Sequence, residues 1–395
     1  MLMDNTEKLT LYSRYLSLDY SVELINVIVG ARRTGKSYFL LKEIDKLGEA
    51  ECLYINLESD AFIEFDIKML SEFIDQNIVS KKYLFIDEIQ NIKNWEKLIR
   101  RLYEAKQYFI TLTGSSSKML SSDISTVLRG RSVNYHMYPF SYNEIVSQNI
   151  MSYDGYFSNG GLIQLLNIKN TTAYIADYKK QVVYKDVLER FNLKNLDLLH
   201  YLIDYICENS GAPISYRNIT LAAESAGLGT SVDTVIEYVR YLKDAGFVSE
   251  VELYSRSIKK RLVNNKRLYP LDHRFTKNGV GAKFETMVQN NLLSSGLAIN
   301  HYLADYEIDF VVTTGDITIP IQACHTVSED KTKEREVSSI LKFWDEHHYL
   351  DSTYALVVTN DHKGIEYFGK KKIIFSTFDE VFKNGFEPFV EQLSS

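Results

Sequence analysis

Gly30-Ala31-Arg32-Arg33-Thr34-Gly35-Lys36-Ser37 follows directly on the apolar run Ile25-Asn26-Val27-Ile28-Val29. The eight residues match G-x-x-x-x-G-K-[ST], and their placement matters as much as the pattern. A buried strand that ends in this loop, with a helix predicted over Tyr38–Leu47, aims successive backbone N–H groups at one point. That point lies at the positive end of the helix, where the β- and γ-phosphates of a nucleotide are cradled. Lys36 adds a point charge to those phosphates, and Ser37 is placed to hold a Mg²⁺ ion. The nucleotide-binding set is therefore Gly30, Ala31, Arg32, Arg33, Thr34, Gly35, Lys36, Ser37 and Tyr38.

Later strands narrow the class. Tyr83-Leu84-Phe85-Ile86-Asp87 is an apolar strand that ends in a carboxylate, and Glu88 comes next. An Asp at that place holds a water of the Mg²⁺ shell, and the Glu beside it polarises an attacking water. Between the loop and Asp87 lies another strand, Cys52–Leu57, an insertion expected of the P-loop class that uses a catalytic Glu. Phe109–Gly114 forms a fourth strand, and Ser115, Ser116 and Ser117 follow it. A polar residue at that tip is placed to sense the γ-phosphate. The chain has no Asn-Lys-x-Asp guanine-reading motif, so ATP is expected over GTP. Leu128-Arg129-Gly130-Arg131 then supplies two arginines, which either neutralise transition-state charge or pair with nearby carboxylates.

Taken together, these stretches resemble the prokaryotic AAA-type ATPases that carry a restriction-endonuclease-like C-terminal domain. The resemblance rests on GARRTGKS, LFIDEIQ, LTGSSSKML, LRGR and Tyr138-Pro139-Phe140-Ser141-Tyr142-Asn143-Glu144-Ile145. Tyr184–Leu188, Lys266–Tyr269 and Glu307–Val312 extend it over most of the chain. It implies Lys36 and Ser37 on nucleotide and metal, Asp87 and Glu88 as the Walker B pair, Ser115 as the sensor and Arg131 as the arginine finger.

Composition sets limits. At 395 residues the chain has room for two to four domains. No apolar stretch reaches the length of a membrane span, and Met1–Glu7 lacks a signal-peptide pattern. Cys52, Cys207 and Cys324 are scattered and odd in number, which argues against a disulfide framework and for a cytoplasmic protein. A formal charge of −7 argues against nonspecific coating of nucleic acid and leaves room for a local basic patch.

The expected organisation is α/β. A P-loop core with a parallel sheet covers 1–145 and opens on an amphipathic helix over residues 1–20; a helical lid covers 146–195. A winged helix-turn-helix is expected over 196–275, with helices at Leu198–Glu208, Tyr216–Ala226 and from Ser231 to Asp244. On the last of these, Val232, Val235, Ile236, Val239 and Leu242 form the expected buried stripe. Its outward Asp233, Glu237, Arg240 and Asp244 disfavour a DNA groove. The wing differs: Arg256, Lys259, Lys260, Arg261, Lys266 and Arg267 make the segment 256–267 a candidate DNA-phosphate surface, or else a solvated hairpin paired with acidic neighbours.

Residues 276–395 are expected to form the restriction-endonuclease-like domain. In such folds an acid from the first helix joins two residues of a β-hairpin around Mg²⁺, with a Lys two positions beyond. By that resemblance Glu285, Asp309 and Gln322 take the metal positions, and Cys324 stands where the Lys belongs. A neutral thiol supplies no positive charge, so the expected domain is degenerate, with Lys333 or Arg335 as candidate substitutes. His325 and the pair His347-His348 carry weak site signals. Two functional readings follow. One is an ATP-hydrolysing switch that acts on a partner protein or in a homo-oligomer; the other is an ATP-gated DNA nuclease or DNA-binding regulator.

Overall fold

The computed structural model describes residues 11–114, 128, 130–164, 168, 171–181, 187–188, 193, 195–255, 257, 266–350 and 352–394. Ser115, Arg129, Arg256, Lys259, Lys260 and Arg261 lie outside the described residues. The chain divides into two compact units. One runs through Tyr138 and takes in Asp244–Gly246; the other comprises Pro139–Lys243 and Phe247–Ser395.

The first unit is built on a five-stranded parallel sheet. Its strands are β1 (Ile25–Val29), β2 (Cys52–Asn56), β3 (Tyr83–Asp87), β4 (Phe109–Gly114) and β5 (Ser132–His136), in the spatial order β2-β3-β4-β1-β5. β1 and β3 are buried almost throughout, as expected of parallel strands covered on both faces. Helices α1 (Lys36–Leu47), α2 (Ile67–Asn77) and α3 (Trp95–Glu104) connect them. The strand between β1 and β3 in space is β4, while β2, the insertion expected from sequence order, lies at the sheet edge. Pairing of Val29 with Gly114, and of Asn56 with Asp87, brings the loop, the acidic pair and the tip of β4 to one end of the sheet. In open α/β sheets that is the end where ligands bind. Residues 11–20 contain no helix, contrary to the expected lead-in.

The second unit holds a mixed nine-stranded sheet. It comprises β6 (Pro213–Ile214), β7 (Val248–Leu253), β8 (Lys266–Pro270), β9 (Ala298–Leu303), β10 (Glu307–Thr314), β11 (Ile317–Ala323), β12 (Tyr354–Thr359), β13 (Gly364–Phe368) and β14 (Lys371–Thr377). Their order is β13-β14-β12-β11-β10-β9-β7-β8-β6. The hairpin expected as a wing and the strands expected as a separate domain thus share one sheet, joined where Glu252 pairs with Asn300. The expected boundary at 275/276 falls inside this unit, and the expected 145/146 boundary lies seven residues beyond Tyr138. The 139–161 stretch packs within the second unit: Tyr142 donates through its N–H to Asn291 Oδ1 at 2.7 Å and through its hydroxyl to Asp379 at 2.6 Å.

Before the β7–β8 pair come helices Leu196–Glu208, Tyr216–Ser225 and Val232–Asp244. The stripe on the third helix is narrower than expected. Val235, Val239 and Leu242 are buried, whereas Val232 and Ile236 are exposed and Tyr238 and Tyr241 fill the inner face instead. No described helix is long and apolar enough to cross a membrane.

Candidate functional site

The phosphate loop begins where β1 ends. Gly30 is required by space: a Cβ there would stand 2.3 Å from the Met137 carbonyl oxygen. That carbonyl is fixed because the Met137 N–H donates to Val29 O at 2.7 Å. Arg33 and Gly35 adopt left-handed φ of 64° and 98°, turning the chain sharply into α1. The Thr34 hydroxyl closes the turn by donating to the Ala31 carbonyl at 2.9 Å. α1 starts at Lys36, earlier than the predicted Tyr38, so the loop's last residues already belong to its first turn. Tyr38 is exposed on that turn.

Lys36 is buried, and its ammonium donates to the carbonyls of Gly30 and Ala31 at 3.1 Å each. It lies 3.6 Å from Glu88. Asp87, fully buried at the end of β3, accepts from Tyr54 OH at 3.0 Å and from Thr113 Oγ1. Burial pushes the Asp87 carboxyl up against the hydrogen bonds from Ser37 and Thr113 that pull it down. Glu88 behaves the other way. Burial alone would raise its carboxyl, but the Lys36 ammonium, with Gln90 and Arg32, holds it below its ordinary value and ionised.

Two contributors escaped the sequence reading. Thr113, two positions before the expected Ser115, donates its hydroxyl to Asp87 and accepts the Glu88 N–H at 3.1 Å. One side chain therefore fixes both acids, with Glu88 held at a left-handed φ of 55°. Its sequence signal is slight: a threonine one residue from the end of an apolar strand. Arg14 braces the loop from outside, donating to the Thr34 carbonyl at 2.7 Å and the Tyr138 carbonyl at 2.8 Å. Arg32, within the loop, reaches Glu58 at 2.7 Å.

Arg131 lies elsewhere. Its carbonyl accepts from Ile25 N–H at the start of β1, and its guanidinium is 5.7 Å from the Tyr103 ring. Five residues of strand separate it from the loop, about 15 Å at the usual rise.

Residues 23–146 match a family model described as an AAA domain. That stretch is similar to AAA domains. Residues 151–275 match a second model, a domain of unknown function. An uncharacterized protein of Methanocaldococcus jannaschii is 29% identical, over 93% of this chain and 89% of its own length. An uncharacterized protein of Haemophilus influenzae is 26% identical, over 87% and 92%. Among solved structures, a Walker-type ATPase of Pyrococcus abyssi covers 63% of this chain and 89% of its own, at 13% identity and a TM-score of 0.41. The ORC1 protein of Aeropyrum pernix in complex with DNA covers 69% and 88%, at 13% identity and a TM-score of 0.30. At those scores the two structures carry no argument about what this chain does.

Outside that stretch, the second unit brings Glu285, Asp309 and Gln322 together beside a cavity of about 610 Å³. Their hydrogen bonds do not suit a divalent ion. Gln322 spends both ends of its amide on the hairpin: Oε1 accepts the Asp309 N–H at 2.9 Å, and Nε2 donates to the Glu307 carbonyl at 3.0 Å. Asp309, on a stretch where β10 bulges, accepts the Ala323 N–H at 2.9 Å. Glu285 accepts from Tyr269 OH at 2.7 Å and from Arg267 at 3.2 Å. Burial first, then the Asp309 charge, push the Glu285 carboxyl up to about 7. Among the described residues no group of three or more His, Cys, Asp or Glu is arranged to hold a metal.

Cys324 donates its thiol to the Thr326 carbonyl at 3.0 Å, and burial pushes it up to about 11, so it is a neutral thiol. Lys333 pairs with Glu366 at 2.6 Å and is engaged away from the acids. Arg335 lines the cavity but is bound to Glu336, with Nε 3.1 Å from its carboxylate. His325 packs edge-on to Phe284, and His347 stacks on Phe343. Of the expected basic wing, Lys266 pairs with Glu250 at 2.7 Å and Arg267 is fully buried, so Arg267 offers nothing to a phosphate groove.

Proposed function

We propose that this chain is a Mg²⁺-dependent ATP phosphohydrolase that works as an AAA-type molecular switch, coupling nucleotide state to its second unit. One observation carries the reading: Lys36 and Glu88 stand 3.6 Å apart at the strand ends where the loop amides converge. Bound Mg·ATP supplies the γ-phosphoryl group and the metal's charge neutralisation. The loop amides from Gly30 to Ser37 grip the phosphates, and Lys36 exchanges its carbonyl partners for phosphate oxygens. Ser37 and Asp87 are the residues that would hold Mg²⁺, which the tie between them and the hydroxyl–carboxylate donor set support. Glu88 orients the attacking water through a hydrogen bond to its carboxylate, a role suited to a carboxylate kept charged by a neighbouring ammonium. Arg131 and the strand ends it sits on face away from this loop, so in this reading it reaches a phosphate only from a second copy of the chain. Ser115, two positions beyond Thr113 in the sequence, keeps its proposed sensor role.

Phosphate release by the purified chain with Mg·ATP tests the reading. Glu88→Gln should hold ATP and lose release by roughly 10²–10⁴-fold. A wild type that releases no phosphate, or a Glu88→Gln variant that releases it at the wild-type rate, sinks it.

A further inference from the structure

Arg267 has no exposed surface, although arginine is seldom buried without charge partners. Its guanidinium faces three carboxylates: Glu285 at 3.2 Å, Asp309 at 3.5 Å, and Glu307 in closer contact. Those acids belong to the helix Gly279–Ser294 and to β10, whereas Arg267 comes from β8. We propose that Arg267 is the resident cation of this cluster, standing where the sequence pattern predicts a divalent ion. The site is then a charge clamp between the β7–β8 hairpin and the C-terminal strands, and not a centre for metal-dependent phosphodiester cleavage.

Several independent features converge on the clamp. Arg267 and Tyr269 are alternate residues of β8, so they point to one face, and both donate to the same Glu285 oxygen. Gly211 makes room for that carboxylate: a Cβ there would meet Glu285 Oε1 at 2.5 Å, and its φ of +78° suits glycine alone. The Gly211 N–H is itself fixed to the Leu268 carbonyl of β8 at 3.1 Å. At the third predicted metal position a neutral amide replaces a carboxylate and is spent on main-chain partners, which lowers the cluster's negative charge. A permanently charged, planar guanidinium with five N–H donors can serve several carboxylates at once. A hard divalent cation needs open oxygen ligands at 2.0–2.6 Å, and it would have to share this space with a like charge.

The test uses the full chain without nucleotide, titrated with Mn²⁺ and read by electron paramagnetic resonance, beside a plasmid-nicking assay in Mn²⁺. Wild type should show no Mn²⁺ site and no nicking that Asp309→Asn removes. Arg267→Met should lower the melting temperature, and Arg267→Lys, which keeps the charge, should recover part of that loss. A Mn²⁺ site or nicking in wild type that Asp309→Asn abolishes overturns the proposal. So does an Arg267→Met variant that melts like wild type. Should Arg267→Met fail to fold, the comparison of wild type with Asp309→Asn still decides.

Discussion

Lys36 and Arg267 are both buried cations set against carboxylates, and they are held in opposite ways. Lys36 rests on two neutral carbonyls and one acid, Glu88. Arg267 is ringed by three acids from two other elements. A flexible ammonium can trade carbonyl oxygens for phosphate oxygens at little electrostatic cost. A guanidinium withdrawn from three carboxylates strands buried charge and is held in place by that cost. The first arrangement suits exchange with a ligand, and the second suits permanence.

The largest effect that would sharpen this contrast is the loss of turnover in Glu88→Gln, with ATP still retained by Lys36. Next comes Arg267→Met, which leaves Glu285 and Asp309 without their counter-charge. Breaking a buried pair on one side costs about 3–5 kcal/mol, so urea unfolding should register the change directly. Lys36→Met, by contrast, leaves one acid and not three without its counter-charge, so it should cost less stability than Arg267→Met.

A pH series tests the acidic side of the clamp. Glu285 lies against Arg267, Tyr269 and Asp309, and its carboxyl is raised from 4.5 to about 7. Below pH 4.5 folded and unfolded chains both hold the proton. Between there and about 7 the unfolded chain releases it first, so this group's contribution to stability falls as pH rises, and it levels off above. The total is roughly 1–3 kcal/mol for a side chain still partly open to solvent. Glu285→Gln should flatten that slope, and a wild-type curve parallel to the variant's from pH 4 to 8 would remove the idea.

The strands of the first unit were legible in the sequence and the partners inside the second unit were not, for physical reasons. β1, β3 and β4 have the bounds predicted for them, because a short apolar run closed by a glycine loop or an acid leaves little choice. What periodicity cannot supply is the partner across space. Arg267 sits in a run that looks like a basic surface, and only folding reveals carboxylates from later in the chain around it. The joining of β7 to β9 is equally invisible, since it depends on pairing between segments far apart in sequence. Ile236 fits a helical stripe by spacing and still faces outward, because the neighbouring elements cover only the narrower arc through Val235, Val239 and Leu242. Thr113 looks like any β-branched strand residue until Asp87 and Glu88 are set beside it.

Thr113 and Arg14 offer the finest cuts at the exchange site. Thr113→Val keeps the strand shape and removes the hydroxyl shared by Asp87 and Glu88. It should lower turnover about tenfold, near the worth of one charged hydrogen bond, with ATP affinity little changed. An unchanged rate would show that the two acids hold their places without it.

Arg14→Ala should act the other way round. Two of the Arg14 hydrogen bonds tie the Thr34 carbonyl of the loop to the Tyr138 carbonyl beyond β5, and both of these partners are main-chain atoms. Losing the brace lets the loop sample shapes in which its amides no longer converge, so the cost falls on binding. About 1–1.5 kcal/mol of lost hydrogen bonding corresponds to a five- to tenfold weaker ATP affinity. The rate at saturating ATP should hold, since Lys36, Asp87 and Glu88 are untouched. Arg14→Lys, which can reach one carbonyl but cannot bridge both, should fall between. Calorimetric titration of the three proteins with Mg·ATP checks this, and equal affinities would show that the loop holds its shape through Gly30, Thr34 and Gly35 alone.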